Sequence, residues 1–467
     1  MMNSLFLSAL YKSSGKTTVA IGLAAALKAR GTVVQPFKKG PDYIDPMWLG
    51  QAAGRDCRNL DFHTMTPDEI TATFAAQAAG TDLALIEGNK GLYDGLDLEG
   101  QDSNAAMAAH LGAPVVLVID TRGMTRGIAP VVLGYQAFGP ELEIAGLILN
   151  QIGGARHEGK LRAAVEHFTD IPILGAIGRH PEMEITERHL GLVPTNEAGE
   201  AGKLINTIAR IVADGVDLDR ILAAARPATV AETVSATPAV GSRDLRIAIA
   251  WDAAFGFYYP DDLEALERAG AELIPFDTLS DNRLPDADAV FFGGGFPETQ
   301  AQALSANSSL RHDIKAALAA GMPAYAECGG LMYLARSLTC QGQRFDMVGA
   351  IPGDVVLHDR PVGRGYVVLG ETDAAPWPPA GGDDDGTPVL PAHEFHYASL
   401  ENLPADTTFA YTVKRGYGID GHNDGIVMGH LLAAFTHQRN VAQNPWAERF
   451  TDFVRSKKGI EINKVSA

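Results

Sequence analysis

The chain has 467 residues, with 38 Lys and Arg against 57 Asp and Glu, a formal net charge of −19 at pH 7. That balance excludes a generic nucleic-acid or anionic-membrane binder, which needs a net basic surface, and leaves room only for local basic pockets. A hydrophobic content of 46% with 20% charged residues excludes a disordered chain, and the length suggests roughly two to four domains.

In chain order, the apolar run Leu5–Ser8 predicts a buried first strand. No basic n-region precedes it, so no signal peptide is expected. No apolar run approaches the roughly 18 residues that span a bilayer, so the expected location is the cytoplasm, with no membrane or nucleic-acid partner. Strands are predicted at Val33–Phe37, Leu83–Ile86, Val115–Ile119 and Ala145–Leu149, and helices at Thr17–Arg30 and Asn104–Leu111. This alternation predicts βαβ units and a parallel sheet. The stretch PATVAETVSATPAVGSR, residues 227–243, has no helical apolar stripe and reads as a linker between domains 1–226 and 244–467. A second α/β series follows: Leu245–Ala250, a helix near Asp261–Ala269, Ala289–Phe292 and Pro323–Ala326. From about Val348 the chain turns to short β runs, and AGGDDDGTP reads as an exposed loop. Three cysteines, Cys57, Cys328 and Cys340, exclude a disulfide framework and leave room for a lone catalytic thiol.

After the first strand come Ser13, Ser14, Gly15, Lys16, Thr17 and Thr18, then an Ala-rich helix. In that setting backbone N–H groups can cradle phosphate, Lys16 can reach terminal phosphates and Thr17 can ligate Mg²⁺. The first glycine of the usual motif is replaced by Leu10, and a capped core helix remains the alternative. The second strand ends in KKGPDYIDP. Its Asp42 and Asp45 could hold Mg²⁺ or orient a substrate, and Lys38 and Lys39 could meet anions. The third ends at Glu87, a position suited to Mg²⁺, followed by Lys90 and Asp94. Arg122 and Arg126, after Asp120, could bind phosphate or carboxylate; a surface helix start is the other reading. Asn150 could read a base or make an Asn turn. Four carboxylates converging on one phosphate loop point to phosphoryl transfer to a small substrate.

In the second half, PAYAECGGLMYL puts Cys328 after an apolar strand and before Gly329 and Gly330. A strand–turn–helix elbow exposes a nucleophile and aims N–H groups at an oxyanion. The glycine loop at 293–295, with Gly294, could supply the second donor alongside Gly329. His437 in LLAAFTHQRN is the candidate base, in competition with His393 and His396 of HEFHY. Glu394 could orient a base or face a substrate, and Cys57 and Cys340 read as inert. A thiol acyl-transfer site and an ATP site on one chain suggest an amidotransferase.

The ordered motifs KKGPDYIDP, the Asn59-Leu60-Asp61 triplet, EGNKGLYDG, GGGFPE, YAECGGLMYL, HEFHY and FTH resemble the cobyrinate a,c-diamide synthase family, glutamine-dependent tetrapyrrole amidases. The resemblance spans nearly the whole chain. It implies a P-loop NTPase-like, dethiobiotin-synthase-like amidoligase domain joined to a class I glutamine amidotransferase-like α/β domain. It implies ATP and Mg²⁺ as cofactors, with glutamine and a tetrapyrrole polycarboxylate as partners and a homodimer left open. It further implies Cys328 as nucleophile and His437 as its base. Gly15, Lys16 and Thr17 fall at the nucleotide, and Asp42, Asp45, Glu87 and Asp94 at the Mg²⁺–substrate site. No third member of the catalytic group carries over, because Arg439 stands where a glutamate two residues after the histidine would be. The EGNKGLYDGLDLEG stretch is similar to a sulfur-metabolism subgroup that amidates siroheme or its precursor, and Lys90 there could select a carboxylate-rich macrocycle. Rival expectations are a cobyric-acid-synthase-like enzyme and a non-catalytic ParA-like partner-binding ATPase.

Overall fold

The computed structural model describes residues 3–139, 141–188, 191–228, 243–380 and 389–459. Residues 229–242 of the predicted linker and 381–388 of the predicted acidic loop lie outside the described residues. The chain forms two compact units, 1–236 and 237–467. Among the described residues no helix is long and apolar enough to cross a membrane.

The first unit is built on seven parallel strands: β1 (Asn3–Ala9), β2 (Val34–Lys39), β3 (Arg58–Leu60), β4 (Leu83–Glu87), β5 (Val115–Asp120), β6 (Ile144–Ile152) and β7 (Ile173–Gly178). Their order is β3-β2-β4-β1-β5-β6-β7, and Arg226–Pro227 pairs antiparallel with the start of β1. Runs such as LALIE and VVLVID are buried along their whole length, as strands with helices on both faces must be. The order reverses across β1, with β4 on one side and β5 on the other. That reversal leaves a crevice at its carboxyl end, where ligands of open parallel sheets gather. Helix α1 (Lys16–Ala29) starts in that crevice and buries Val19, Leu23 and Leu27. Helix α2 (Ile44–Ala53) follows β2.

The second unit has a nine-stranded sheet with two halves. Strands Ala271–Phe276, Leu245–Ala250, Ala289–Phe292, Ala324–Glu327 and Leu431–Ala434 run parallel in that order. Strands Asn423–Met428, Thr408–Arg415, Gly363–Glu371 and Val389–His396 then continue it antiparallel. The last of these is also bridged to His437, so the antiparallel half folds back over the carboxyl end of the parallel half. An aromatic cluster of Tyr325, Trp377, Trp446 and Phe450 fills one face of the sheet. A smaller sheet, Gln343–Asp346, Ala335–Cys340, Ile351–Leu357 and Ala398–Glu401, packs through Leu338 and Val355 into the core on the other.

Candidate active sites

At the phosphate loop, Gly15 adopts φ 81°, and a Cβ there would lie 2.3 Å from Asn150 Nδ2. Both facts demand glycine. Asn150, near the carboxyl end of β6, donates Nδ2 to Ser14 O at 3.0 Å, while Ser14 Oγ donates to Tyr11 O at 2.7 Å. The loop is thus tied from two sides. The opening N–H groups of α1 have no partner within the helix, which gives the crevice a site for anions.

Lys16, Thr17, Lys38, Asp45 and Glu87 meet beside that loop. Lys16 Nζ donates to Glu87 Oε1 at 2.5 Å. Lys38 Nζ donates to Asp45 Oδ2 at 2.5 Å and to Glu87 Oε2 at 3.0 Å, and stands 3.8 Å from Asp42. Thr17 Oγ1 lies 2.6 Å from Glu87 Oε1 and 3.2 Å from Asp45 Oδ2. Burial disfavours charge on Glu87, but Lys16 and Lys38 outweigh it and hold its carboxyl well below the usual range. Burial lowers Lys16. At Asp42, burial and the Asp45 carboxylate push the carboxyl up to about 7. Asp42 also accepts the N–H groups of Ile44 and Asp45 at the start of α2, and Asn59 Nδ2 donates to Gly40 O and Asp42 O. The NLD triplet therefore braces the turn that carries Asp42.

A cavity of about 470 Å³ opens beside Gly15, Thr18 and Asn150, with Arg122, Arg179 and His180 in its wall. Asn150 thus bridges loop and cavity. Arg122 is held by Asp120 through two Nε contacts and one from Nη2, whereas Arg126 leaves the site to cover Phe168 at 5.2 Å. Asp94 accepts the Gly91 N–H at 3.2 Å, and Lys90 is exposed. Neither joins the ion-pair network directly. Lys39 is buried and donates to Asp102 O, which ties β2 to the loop after Asp94. Arg179 and His180 were not singled out by the sequence, because single polar residues after a weakly patterned strand carry no motif.

In the second unit, Cys328 follows strand Ala324–Glu327 with φ 46° and ψ −102°. Few non-glycine residues hold that conformation, and its strain is sustained only where surrounding contacts enforce it. Here Cys328 N donates to Ala434 O at 2.7 Å, and helix Gly329–Leu334 begins at once. A Cβ on Gly330 would lie 2.3 Å from Phe292 O, and one on Gly329 2.9 Å from Gly295 O. The two glycines let the elbow press against the glycine loop. The first N–H groups of the helix, beginning at Gly329, have no intrahelical partner and are available to an oxyanion. In the loop opposite, Gly293 N already donates to Tyr258 Oη at 3.0 Å. A Cβ on Gly294 would lie 2.5 Å from His437 Cε1.

The Cys328 side chain lies beside His437 and acts on its imidazole. Burial works against a charged imidazole, but Cys328 and Glu327 outweigh it and push His437 up to about 10. Its backbone exchanges two hydrogen bonds with His393, at 2.8 and 3.1 Å, and the two rings stack 4.9 Å apart. His393 therefore braces His437. His396 stacks on Phe435, and Glu394 accepts the N–H groups of Tyr417 and Gly418. HEFHY thus braces the strand and loop beside His437. Cys57 and Cys340 are buried, and burial raises both thiols. Glu327, 3.5 Å from His437 Nδ1, was overlooked in the sequence. It sits inside YAEC, where it reads as the end of a strand.

Residues 3–186 match the AAA domain family, and residues 246–444 match the CobB/CobQ-like glutamine amidotransferase domain family. Among curated relatives, the cobyrinate a,c-diamide synthase of Magnetococcus marinus is 47% identical over 97% of this chain and 97% of its own. That of Methanosarcina acetivorans is 41% identical over 93% of this chain and 92% of its own. That of Archaeoglobus fulgidus is 39% identical over 95% of this chain and 96% of its own.

Proposed function

The chain belongs to the cobyrinate a,c-diamide synthase family of glutamine-dependent carbon–nitrogen ligases, and we propose that it amidates the a and c acetates of a cobyrinate-type tetrapyrrole. What carries this reading is the pairing, on one chain, of a phosphate loop ringed by Lys16, Lys38, Asp45 and Glu87 with a buried Cys328–His437 couple.

The steps follow from the chemistry of each site. His437 takes the Cys328 proton, and the thiolate adds to the glutamine carboxamide carbon. The oxyanion meets the N–H donors at Gly329 and the Gly294 side of the glycine loop. The tetrahedral adduct collapses, His437 returns its proton to the nitrogen, and ammonia leaves. Water then hydrolyses the thioester to glutamate and free thiol. In the first unit, Ser14, Gly15, Lys16 and Thr18 hold ATP phosphates, and Asn150 faces the base in the neighbouring cavity. An acetate oxygen of the acceptor attacks the γ-phosphorus, ADP leaves, and an acyl phosphate forms. Ammonia displaces phosphate from the acyl carbon and loses one proton, which yields the amide. Lys38 and Lys90 meet the acceptor's carboxylates, and Asp45 and Asp94 line the same acceptor site.

The donor set fits Mg²⁺. Thr17, Asp42, Asp45 and Glu87 offer hard oxygens, and Lys16 and Lys38 balance the carboxylates. Among the described residues no cluster of three or more His, Cys, Asp or Glu forms a ready metal cage. Bound there, Mg²⁺ would neutralise charge on the β- and γ-phosphates.

The acceptor is tested by incubating the protein with ATP, Mg²⁺ and glutamine, in parallel with cobyrinate and with sirohydrochlorin. One or two amides gained on cobyrinate support the reading. Amides gained on sirohydrochlorin alone move the acceptor to the siroheme type suggested by EGNKGLYDG. No amide on either macrocycle defeats the tetrapyrrole assignment.

A further inference from the structure

We propose that Glu327, the residue immediately before the nucleophile, is the positioning carboxylate that orients His437 and stabilises its imidazolium during glutamine hydrolysis. This assignment rests on the glutaminase reading of Cys328 and His437, and not on the identity of the acceptor. Glu327 Oε2 stands 3.5 Å from His437 Nδ1, with both side chains 4% exposed. Its other oxygen, Oε1, is already committed: it accepts the Tyr325 hydroxyl at 2.5 Å and the Gln438 N–H at 2.9 Å. Oε2 is thereby left to face the imidazole.

The backbone holds both ends of this contact. Glu327 pairs with Ala434 in parallel register, and His437 follows three residues later, pinned to His393 by two hydrogen bonds. The carboxylate and the ring are thus set by neighbouring strands, not by flexible side chains. The position two residues after the histidine cannot serve. Arg439 stands there, stacked on Tyr259 at 5.0 Å and paired with Asp261 at 2.9 Å. A buried carboxylate is costly unless its oxygens are satisfied. Here two donors and an imidazole supply that satisfaction, and the arrangement aligns Tyr325, Glu327, His437 and Cys328 in one line of contacts. The other titratable groups around it are His393 stacked on His437, Tyr258 beside Gly293, and Asp262, whose carboxylate accepts Asn440 N–H and Trp446 Nε1–H.

Glu327→Gln keeps the shape and removes the charge. In the full chain, glutamate release should fall by about 100-fold or more in kcat, with KM for glutamine within about threefold, by analogy with removing the orienting carboxylate of other nucleophile–histidine pairs. Ammonia-dependent amidation should stay within about twofold. The rate of iodoacetamide alkylation of Cys328, followed by peptide mass across pH, should shift to a higher midpoint. Tyr325→Phe should cost about three- to tenfold in the same direction. Glutamate release within threefold of wild type, or an unmoved alkylation profile, overturns the assignment. If Glu327→Gln does not fold, Tyr325→Phe decides: a shifted profile supports the role and an unchanged one refutes it. The alkylation readout needs no acceptor, so a failed tetrapyrrole assay leaves this test intact.

Discussion

At the phosphate loop, the reactive side chains hold one another: Lys16 and Lys38 occupy the carboxylates of Glu87 and Asp45. At Cys328, the backbone does the holding. A strained elbow, two glycine contacts and a bridge through His393 place thiol and imidazole together. The contrast follows from the chemistry. On the proposed reading, charged groups that receive phosphates and a cation can exchange partners when those ligands arrive, so their mutual pairing is replaceable. A nucleophile and its base must meet at one distance before substrate binds, and strand register supplies that distance more rigidly than long side chains can.

The comparison breaks most sharply at Cys328→Ala. Glutamine-dependent amidation should drop below detection, roughly 10⁴-fold, while ammonia-dependent amidation persists. Equal loss with both nitrogen sources would deny separate sites. Lys16→Ala should do the reverse: about 10²- to 10³-fold loss of amidation with either nitrogen source, measured as ADP release, with Cys328 alkylation unaffected.

Gly294→Ala tests how closely the backbone confines the imidazole. The added Cβ would fall 2.5 Å from the His437 ring, so glutaminase kcat should fall about 10- to 100-fold, and ammonia use should remain. Asn150→Ala should weaken ATP about tenfold by calorimetry, since it frees the loop carbonyl and opens the cavity beside it. The smallest expected effect is on stability. His437 is raised from 6.5 to about 10, so its linked contribution is full below about 6.5 and is lost as pH rises through about 10. Melting temperature should therefore decline across that window, and Cys328→Ala should flatten the decline.

Much of the first site is legible in the chain because its parts are local. GKTT follows the first strand, KKGPDYIDP and LALIEG carry the ends of two others, and parallel strands bring their carboxyl ends together. Asn150 was legible as a residue but not as a partner of Ser14 and Gly15, since that contact spans 136 residues. Lys90 and Asp94 show the limit of proximity in sequence: both follow Glu87 closely, and neither joins its ion pairs.

The sequence by itself determined the alternation of strand and helix, the two-part organisation, and the residue types for phosphate binding and for thiol chemistry. These follow from local pattern: apolar runs, glycines at elbows, and charges at strand ends. Only the tertiary structure decided that Glu394 braces a loop and that Glu327 faces His437. Those choices depend on the parallel register of Ala324–Glu327 against Leu431–Ala434 and on the fold-back of Val389–His396, contacts between residues far apart in the chain. Strand register sets them, and a one-residue slip would turn each of these side chains to the opposite face.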